Sequence, residues 1–473
     1  MDLESNLINT ESGSDIKKIN KFNSMPTFLE LLVQSIGPLM YNVGNSLHDA
    51  VDLILISKAL GNECLQIVGF SSIVRFLIRC FGVYFSNGAV AEVTKLIGAK
   101  MNKEAEQVVS DLFRLSIIVM TIISVIFLFV SKYLLVLMGC TNDIADKSFQ
   151  YLLPIIICGP FTGIFQLGCG LLQCEGRSIL NGLMQLFGFL LNCGLFAPLL
   201  LFYFNVSIKL SGLSYALSQV IPAIVLFCLI YKGCFDLKPK IGAWKNKISP
   251  ETYKALKLSA PFILNILAGT ISPILLLNYC MKAANAINVP GEVASGFSVF
   301  LKVQTFVNSF SLGINQGLLS TGCYSYGTGN AKKILKLFMY SLFLSLLILL
   351  GFTLFVYFEN EAILKIWIDK KESKMMLYAS KIMKIPFYTN FMNSINDAMS
   401  NLILCISNSL LPIIPSIVRG LICIVSSIML YYSGKKNPVR MMYTFCLSDC
   451  FVFISDLIIV YKPLRSLYRQ VYI

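Results

Sequence analysis

The sequence predicts an all-α polytopic membrane protein with twelve transmembrane helices in two parallel six-helix repeats. Three observations lead there. Of 473 residues, 56% are hydrophobic and only 14% charged, with a mean hydropathy of +0.72. Apolar stretches recur at the roughly 20-residue length that carries a helix across a ~30 Å hydrocarbon core. The second half of the chain also repeats features of the first at a fixed distance.

The spans are expected near 29–57, 65–88, 112–138, 149–172, 179–204, 211–231, 259–281, 293–320, 334–358, 376–404, 410–432 and 441–461. They are read as helices and not as barrel strands because segments such as "LSIIVMTIISVIFLFV" (115–130) are apolar on every face, without two-residue alternation. The opening "MDLESNLINTESGSDIKKIN" lacks the basic start and apolar core of a cleaved signal peptide, so the first span is expected to act as the insertion signal. Lys and Arg in short loops are retained in the cytoplasm. Segments on the N-terminal side carry 19 of them and the opposite segments 11, with seven of the 19 in loop 232–258. The tails 1–28 and 462–473 and the linker 232–258 are therefore expected to be cytoplasmic, joining an N-lobe (29–231) to a C-lobe (259–461).

A formal charge of +14 raises nucleic acid as a partner, but the basic residues are spread over short loops. The bilayer and its anionic headgroups are the expected partner instead. The 15 cysteines fall mostly inside spans, where Cys is a small hydrophobe, so no disulfide framework is expected. "CLSDC" sets Cys446 and Cys450 one turn apart around Asp449, yet with a single His in the chain no zinc set forms. No metal and no cofactor are expected. "NVS" at Asn205 is a glycosylation sequon in a short outer loop.

The repeat is visible in the letters. "VGFSSIVRF" (68–76) matches "SGFSVFLKV" (295–303), Gly88 and Gly98 match Gly317 and Gly327, and Pro154 matches Pro386, at offsets of 227 to 232. Two six-span halves starting on the same side are parallel repeats, an architecture suited to alternating access around a central cavity.

Ionisable groups inside spans are costly and mark function. Asn42, Asn45, His48, Asp49 and Asp52 fall within roughly 120° of one helical face of span 1. If spans 1 and 2 form a hairpin, Asp49 lies level with Arg75 and pairs with it structurally. Asp52 is then left as the group that a proton or cation neutralises. His48 reads as a hydrogen-bonded structural group that also lines a cavity. Span 10 holds a second polar face in which Asn390, Asn393, Asp397, Ser400 and Asn401 share roughly 100°. Asp397 and Asn393 are candidates for substrate or cation binding there, against a purely interhelical role for the asparagines.

Over nearly its full length the chain resembles the multidrug and toxic compound extrusion (MATE) transporters. The resemblance is carried by Pro38 followed by "VDLILISKALG", the glycine-rich end of span 2 with "GAKMN", "LLQCEGRS" (171–178) leading to Asn192, and "INQGLLSTGCYSYGTGN" (314–330). It implies an exporter that exchanges H⁺ or Na⁺ for organic, often cationic compounds, with Asp52 and Asn192 as cation-coupling residues. Two positions depart from the pattern. Gly269 stands where many relatives have a glutamate in span 7, and Phe196 where some have an acid four residues after Asn192.

The expected function is secondary active export of organic compounds by a monomer in the plasma membrane or an internal membrane. A lipid-linked saccharide flippase is the alternative, with Arg75, Arg79, Lys302 and Arg419 as its cationic residues. No phosphate-cradling G-x-x-x-x-G-K-[ST] pattern supports an ATP-driven pump, and no H-E-x-x-H or G-x-S-x-G supports an enzyme. The orientation is testable. In a cysteine-depleted background, Lys245→Cys is expected to resist an impermeant thiol reagent applied to intact cells and to react once the cells are opened.

Overall fold

A computed structural model of the chain describes residues 22, 24–60, 63–138, 140–365, 373–406, 410–433 and 437–472. Among them every regular element is a helix: α1 (Thr27–Leu60), α2 (Glu63–Gly98), α3 (Asn102–Leu137), α4 (Asn142–Ile157), α5 (Gly159–Cys174), α6 (Ser178–Phe189), α7 (Ile208–Tyr231), α8 (Pro250–Asn285), α9 (Pro290–Gly327), α10 (Ala331–Phe358), the short α11 (Asn360–Lys365), α12 (Ser373–Phe387), α13 (Phe391–Ile406), α14 (Ile413–Ser433) and α15 (Tyr443–Tyr472). Apolar surroundings leave backbone groups no water to bond, so each segment must satisfy them internally, which a helix does. Helices cover all twelve expected spans.

Eight of the described helices are long and apolar enough to cross a membrane, nine if the bent pair α4–α5 is one span. The helices that fall short are α1, α9 and the pair α12–α13. These are the ones whose apolar runs are interrupted by His48, Asp49 and Asp52, by Gln304, Asn308 and Asn315, and by the span 10 asparagines. For α1 and α9, of 34 and 38 residues, the shortfall is one of polarity and not of length, whereas α12 and α13 are individually short, at 15 and 16 residues. At about 1.5 Å per residue, the 34 residues of α1 reach roughly 51 Å.

Both repeat-related prolines sit at breaks. α4 and α5 meet at 54° just beyond Pro154, and α12 ends and α13 begins just beyond Pro386. A proline ring removes one ladder hydrogen bond and crowds the carbonyl four residues back, so each half folds with an interrupted fourth span. A third irregularity surrounds Pro198, where α6 continues into π-helical turns over Leu190–Phe196 and Leu199–Tyr203. The missing N–H of Pro198 takes one donor from the ladder, and the chain on both sides widens to the i→i+5 pattern.

The chain divides into two compact units. Unit 1 comprises residues 1–257 and 320–337, and unit 2 residues 258–319 and 338–473. In unit 1, α1 packs on α6 and α2 on α5. The core is aliphatic, with Ile56, Val74, Ile78, Met120, Leu152 and Ile155 buried together with Tyr151. The linker folds onto the same unit. Asp111, fully buried, accepts the backbone N–H of Ser249 at 2.9 Å and the Thr252 hydroxyl at 3.0 Å, which caps the start of α8. Arg114 donates to the carbonyls of Trp244 and Asn246.

Segment 320–337 joins unit 1 through a close backbone approach. A Cβ on Gly98 would lie 2.4 Å from the Tyr324 carbonyl oxygen, and one on Gly327 would lie 2.2 Å from that of Lys95. The two glycines that the repeat matches therefore face each other. Lys333 secures the segment with a 2.7 Å ion pair to buried Glu30 and a bond to the Phe22 carbonyl, while Phe22 stacks on Tyr324. In unit 2 the core is aromatic, with Phe300 meeting Phe445 at 5.1 Å and Phe297 at 5.9 Å, and with α15 packed on α13 and α14.

Gly98→Val places two methyl groups where there is no room for one carbon. The variant is expected to lose about 1 to 3 kcal/mol of stability, as overpacked contacts do, read as a lower unfolding midpoint in detergent. Gly194→Val, at a glycine with open space around it, serves as the control.

Candidate functional site

In unit 1 the polar face of α1 meets α2, α4 and the π-helical continuation of α6 around one carboxylate. Asp52 has no exposed surface. Its Oδ2 accepts from Arg75 Nη1 at 2.9 Å and from the Tyr151 hydroxyl at 3.2 Å, and its Oδ1 accepts from Asn192 Nδ2 at 3.4 Å. Arg75 spends its other arm on Asp49, with Nη2 at 2.7 Å from Oδ1. The Asp49 side chain is 44% exposed, whereas Arg75 is 4% exposed.

The Asp49–Arg75 pair expected from the sequence is present, whereas Asp52, expected to be left without a partner, is paired with the same guanidinium. One guanidinium bridges both. Asp49 and Asp52 are three residues apart and so lie on neighbouring turns of one face, within reach of the two ends of the planar guanidinium fork. The fully buried partner is Asp52, and Asp49 is the one open to its surroundings.

Asn192 joins the cluster because the π-helical turn carries it there. Its Nδ2 lies 2.5 Å from His48 Nε2, and its Oδ1 is buried with no donor. A neutral imidazole with Nε2 accepting fits that contact. The His48 ring packs between Phe189 and Tyr215, both with centroids at 5.5 Å, and the Arg75 guanidinium sits 4.6 Å from the Tyr215 ring centre. One turn along α2, Arg79 donates to Asn45 Oδ1 at 2.6 Å. Arg79, Asn45 and His48 line a narrow cleft together with Gln166, Gln185 and Gln219. Arg79 is the one formally charged side chain in that lining.

In unit 2, Asp397 Oδ2 accepts from Ser311 at 3.4 Å. Asn393 Oδ1 accepts from Arg419 Nη2 at 3.0 Å, and Asn393 Nδ2 bonds Asn390, which bonds Asn308. Arg419 also stands 3.9 Å from Asp449, whose Oδ2 accepts from Thr389. Asp456 is fully buried and reaches α13 through Ser400. The span 10 candidates thus belong to a cluster completed by Arg419, Asp449 and Asp456.

Sequence reasoning missed several of these groups. Asp449 and Asp456 are seven residues apart on α15, two turns along one face, and that spacing was the available signal. Tyr151 had no signal, since a tyrosine in an apolar run is ordinary. Cys446 donates to the Ile385 carbonyl oxygen at 3.2 Å, and among the described residues no three His, Cys, Asp or Glu side chains gather as a metal site.

Buried clusters of ionisable side chains inside long apolar helices define a multi-pass integral membrane protein with a polar interior. The chain belongs to the MatE family, whose model matches residues 39–197 and 286–429. No curated protein matches it in sequence. Among solved structures, the chain is similar to a MOP superfamily transporter from Pyrococcus furiosus Vc1 (DSM3638), described by the reverse polarity of its binding pocket, with a TM-score of 0.86 and 16% identity over 96% of this chain and 99% of that one. An outward-facing multidrug resistance MATE family transporter of the MOP superfamily gives 0.87 and 16% over 95% and 98%, and a MATE in complex with MaL6 gives 0.86 and 16% over 96% and 99%. At this identity the likeness is one of fold.

The two α1 acids should separate on substitution. Asp52→Ala removes the buried acceptor shared by Arg75 Nη1, Tyr151 and Asn192 and is expected to cost about 3 kcal/mol or more. Asp49→Ala leaves Arg75 its buried partner and is expected to cost no more than about 1 to 2 kcal/mol, the scale of a hydrogen bond to a charged group. Unfolding midpoints of the two purified variants give the comparison.

Proposed function

We propose that the chain is a secondary active transporter, not an enzyme, that exports organic compounds in exchange for H⁺ or Na⁺ by alternating access, working as a monomer in the bilayer. The observation that supports this reading best is the position of Asp52. A single buried carboxylate ties α1 to α2, α4 and the π-helical part of span 5. Neutralising it with a proton or Na⁺ weakens its hold on Arg75, Tyr151 and Asn192 together, so one small charge change biases four helices at once. The donorless Asn192 Oδ1 beside it is an acceptor that a proton on Asp52 or a bound Na⁺ would satisfy.

One observation favours a second reading, the lipid-linked saccharide flippase. The only charge in the unit 1 cleft is the cation Arg79, and no carboxylate among the described residues pairs with it at ion-pair distance. An anionic headgroup would suit that lining, whereas an organic cation would be drawn to the exposed side of Asp49.

Uptake into proteoliposomes decides between them. Ethidium movement driven by an imposed H⁺ or Na⁺ gradient, abolished in Asp52→Asn while the variant stays folded, is the result expected of the exporter. Gradient-independent scrambling of an anionic fluorescent lipid, with no ethidium movement, would replace it with the flippase.

A further inference from the structure

Unit 2 holds more buried negative charge than its cation balances. Asp397 on α13 and Asp449 and Asp456 on α15 face a single guanidinium, that of Arg419 on α14. Arg419 places Nη2 on Asn393 and Nη1 toward Asp449, while its buried Nε has no acceptor, so it makes no hydrogen bond to Asp456. The formal charges that act on Asp456 are Arg419 and Asp397. Asp456 has no exposed surface, keeps one long 3.4 Å bond from the Ser400 hydroxyl to Oδ1, and has no donor at Oδ2. An ionised oxygen sealed from water without donor or contacting cation is strongly disfavoured.

A separate orphan lies on the facing helix. Asn401 is 7% exposed, its Nδ2 is spent on the Asp397 carbonyl oxygen at 2.9 Å, and its Oδ1 has no donor. Ser400 and Asn401 follow Asp397 by three and four residues and share its face of α13, the face that Ser400 presents to Asp456. That face therefore offers an acceptor in want of a donor, and a carboxylic acid O–H is a donor. No three acidic, His or Cys side chains converge among the described residues, so a divalent cation is not what this set is built for.

We propose that Asp456 is a proton-carrying group of unit 2, taking one proton on Oδ2 to become a neutral carboxylic acid and releasing it to restore a carboxylate faced by Asp397 and Arg419. The proposal deepens the transporter reading and rests on it for its purpose, since a second protonation site would add a coupled proton beside the Asp52 cluster.

Infrared difference spectra of the full-length protein in lipid nanodiscs, between acidic and alkaline buffer, test it. The expected result is a protonated-carboxyl band that vanishes in Asp456→Asn, persists in Asp52→Asn and shifts in Ser400→Ala, which removes the one hydrogen bond to Asp456. A spectrum unchanged in folded Asp456→Asn overturns the proposal. If that variant does not fold, an unshifted spectrum in Ser400→Ala does so. Loss of the band when Na⁺ replaces choline at constant pH also overturns it, because a metal cation would then hold the site. Gradient-driven uptake by the wild-type protein is read separately. A band assigned to Asp456 without uptake leaves the proton site and removes the transporter reading, and uptake without the band does the reverse.

Discussion

Arg75 is the pivot of unit 1. A guanidinium placed among apolar helices is unfavourable unless its charge is met at contact distance, and Asp49 and Asp52 meet it from two turns of one helix. From that bridge the rest of the cluster follows. Tyr151 completes the coordination of Asp52, Asn192 reaches it because the π-helical turn advances that residue, and His48 is fixed by Asn192 on one side and two aromatic rings on the others. Removing the bridge would leave each of these groups with an unmet partner.

The two units treat charge differently. Asp49 and Asp52 are balanced by Arg75 and Arg79, so the unit 1 cluster is neutral with every group ionised. Among the described residues, Arg419 is the cation that acts on Asp397, Asp449 and Asp456. A neutral cluster holds its shape until something competes for a member, whereas an acidic one calls for a positive species from outside.

Much of the fold was legible because its signals are local. Apolar run length located the helices, and the match of Pro154 to Pro386 placed a proline at corresponding points of the two halves, where the structure has its breaks. The polar faces of α1 and α13 were legible from helical periodicity. Pairing was not, because it depends on how far a long side chain reaches across a helix interface. Simple register placed Asp49 level with Arg75, but Asp52 follows on the same face and its carboxylate converges with that of Asp49 on the two arms of one guanidinium. The contribution of α15 was obscured because Asp449 sits between two cysteines that drew attention to metal chemistry, while Asp456 stands alone in an apolar run.

The shortfall in hydropathy of α1 bears on how the protein enters the membrane. A helix carrying Asp49 and Asp52 in its C-terminal half is a weak insertion signal by itself, since an aspartate costs up to about 2.5 to 3.5 kcal/mol at the centre of a span on insertion scales. The charges that offset those acids lie on α2, the next segment to leave the ribosome. α1 and α2 therefore form a natural unit of biogenesis, a hairpin whose members partition into lipid together because neither set of charges is acceptable there without the other. The same ion bridge that organises the finished unit would then act first as the condition for its insertion.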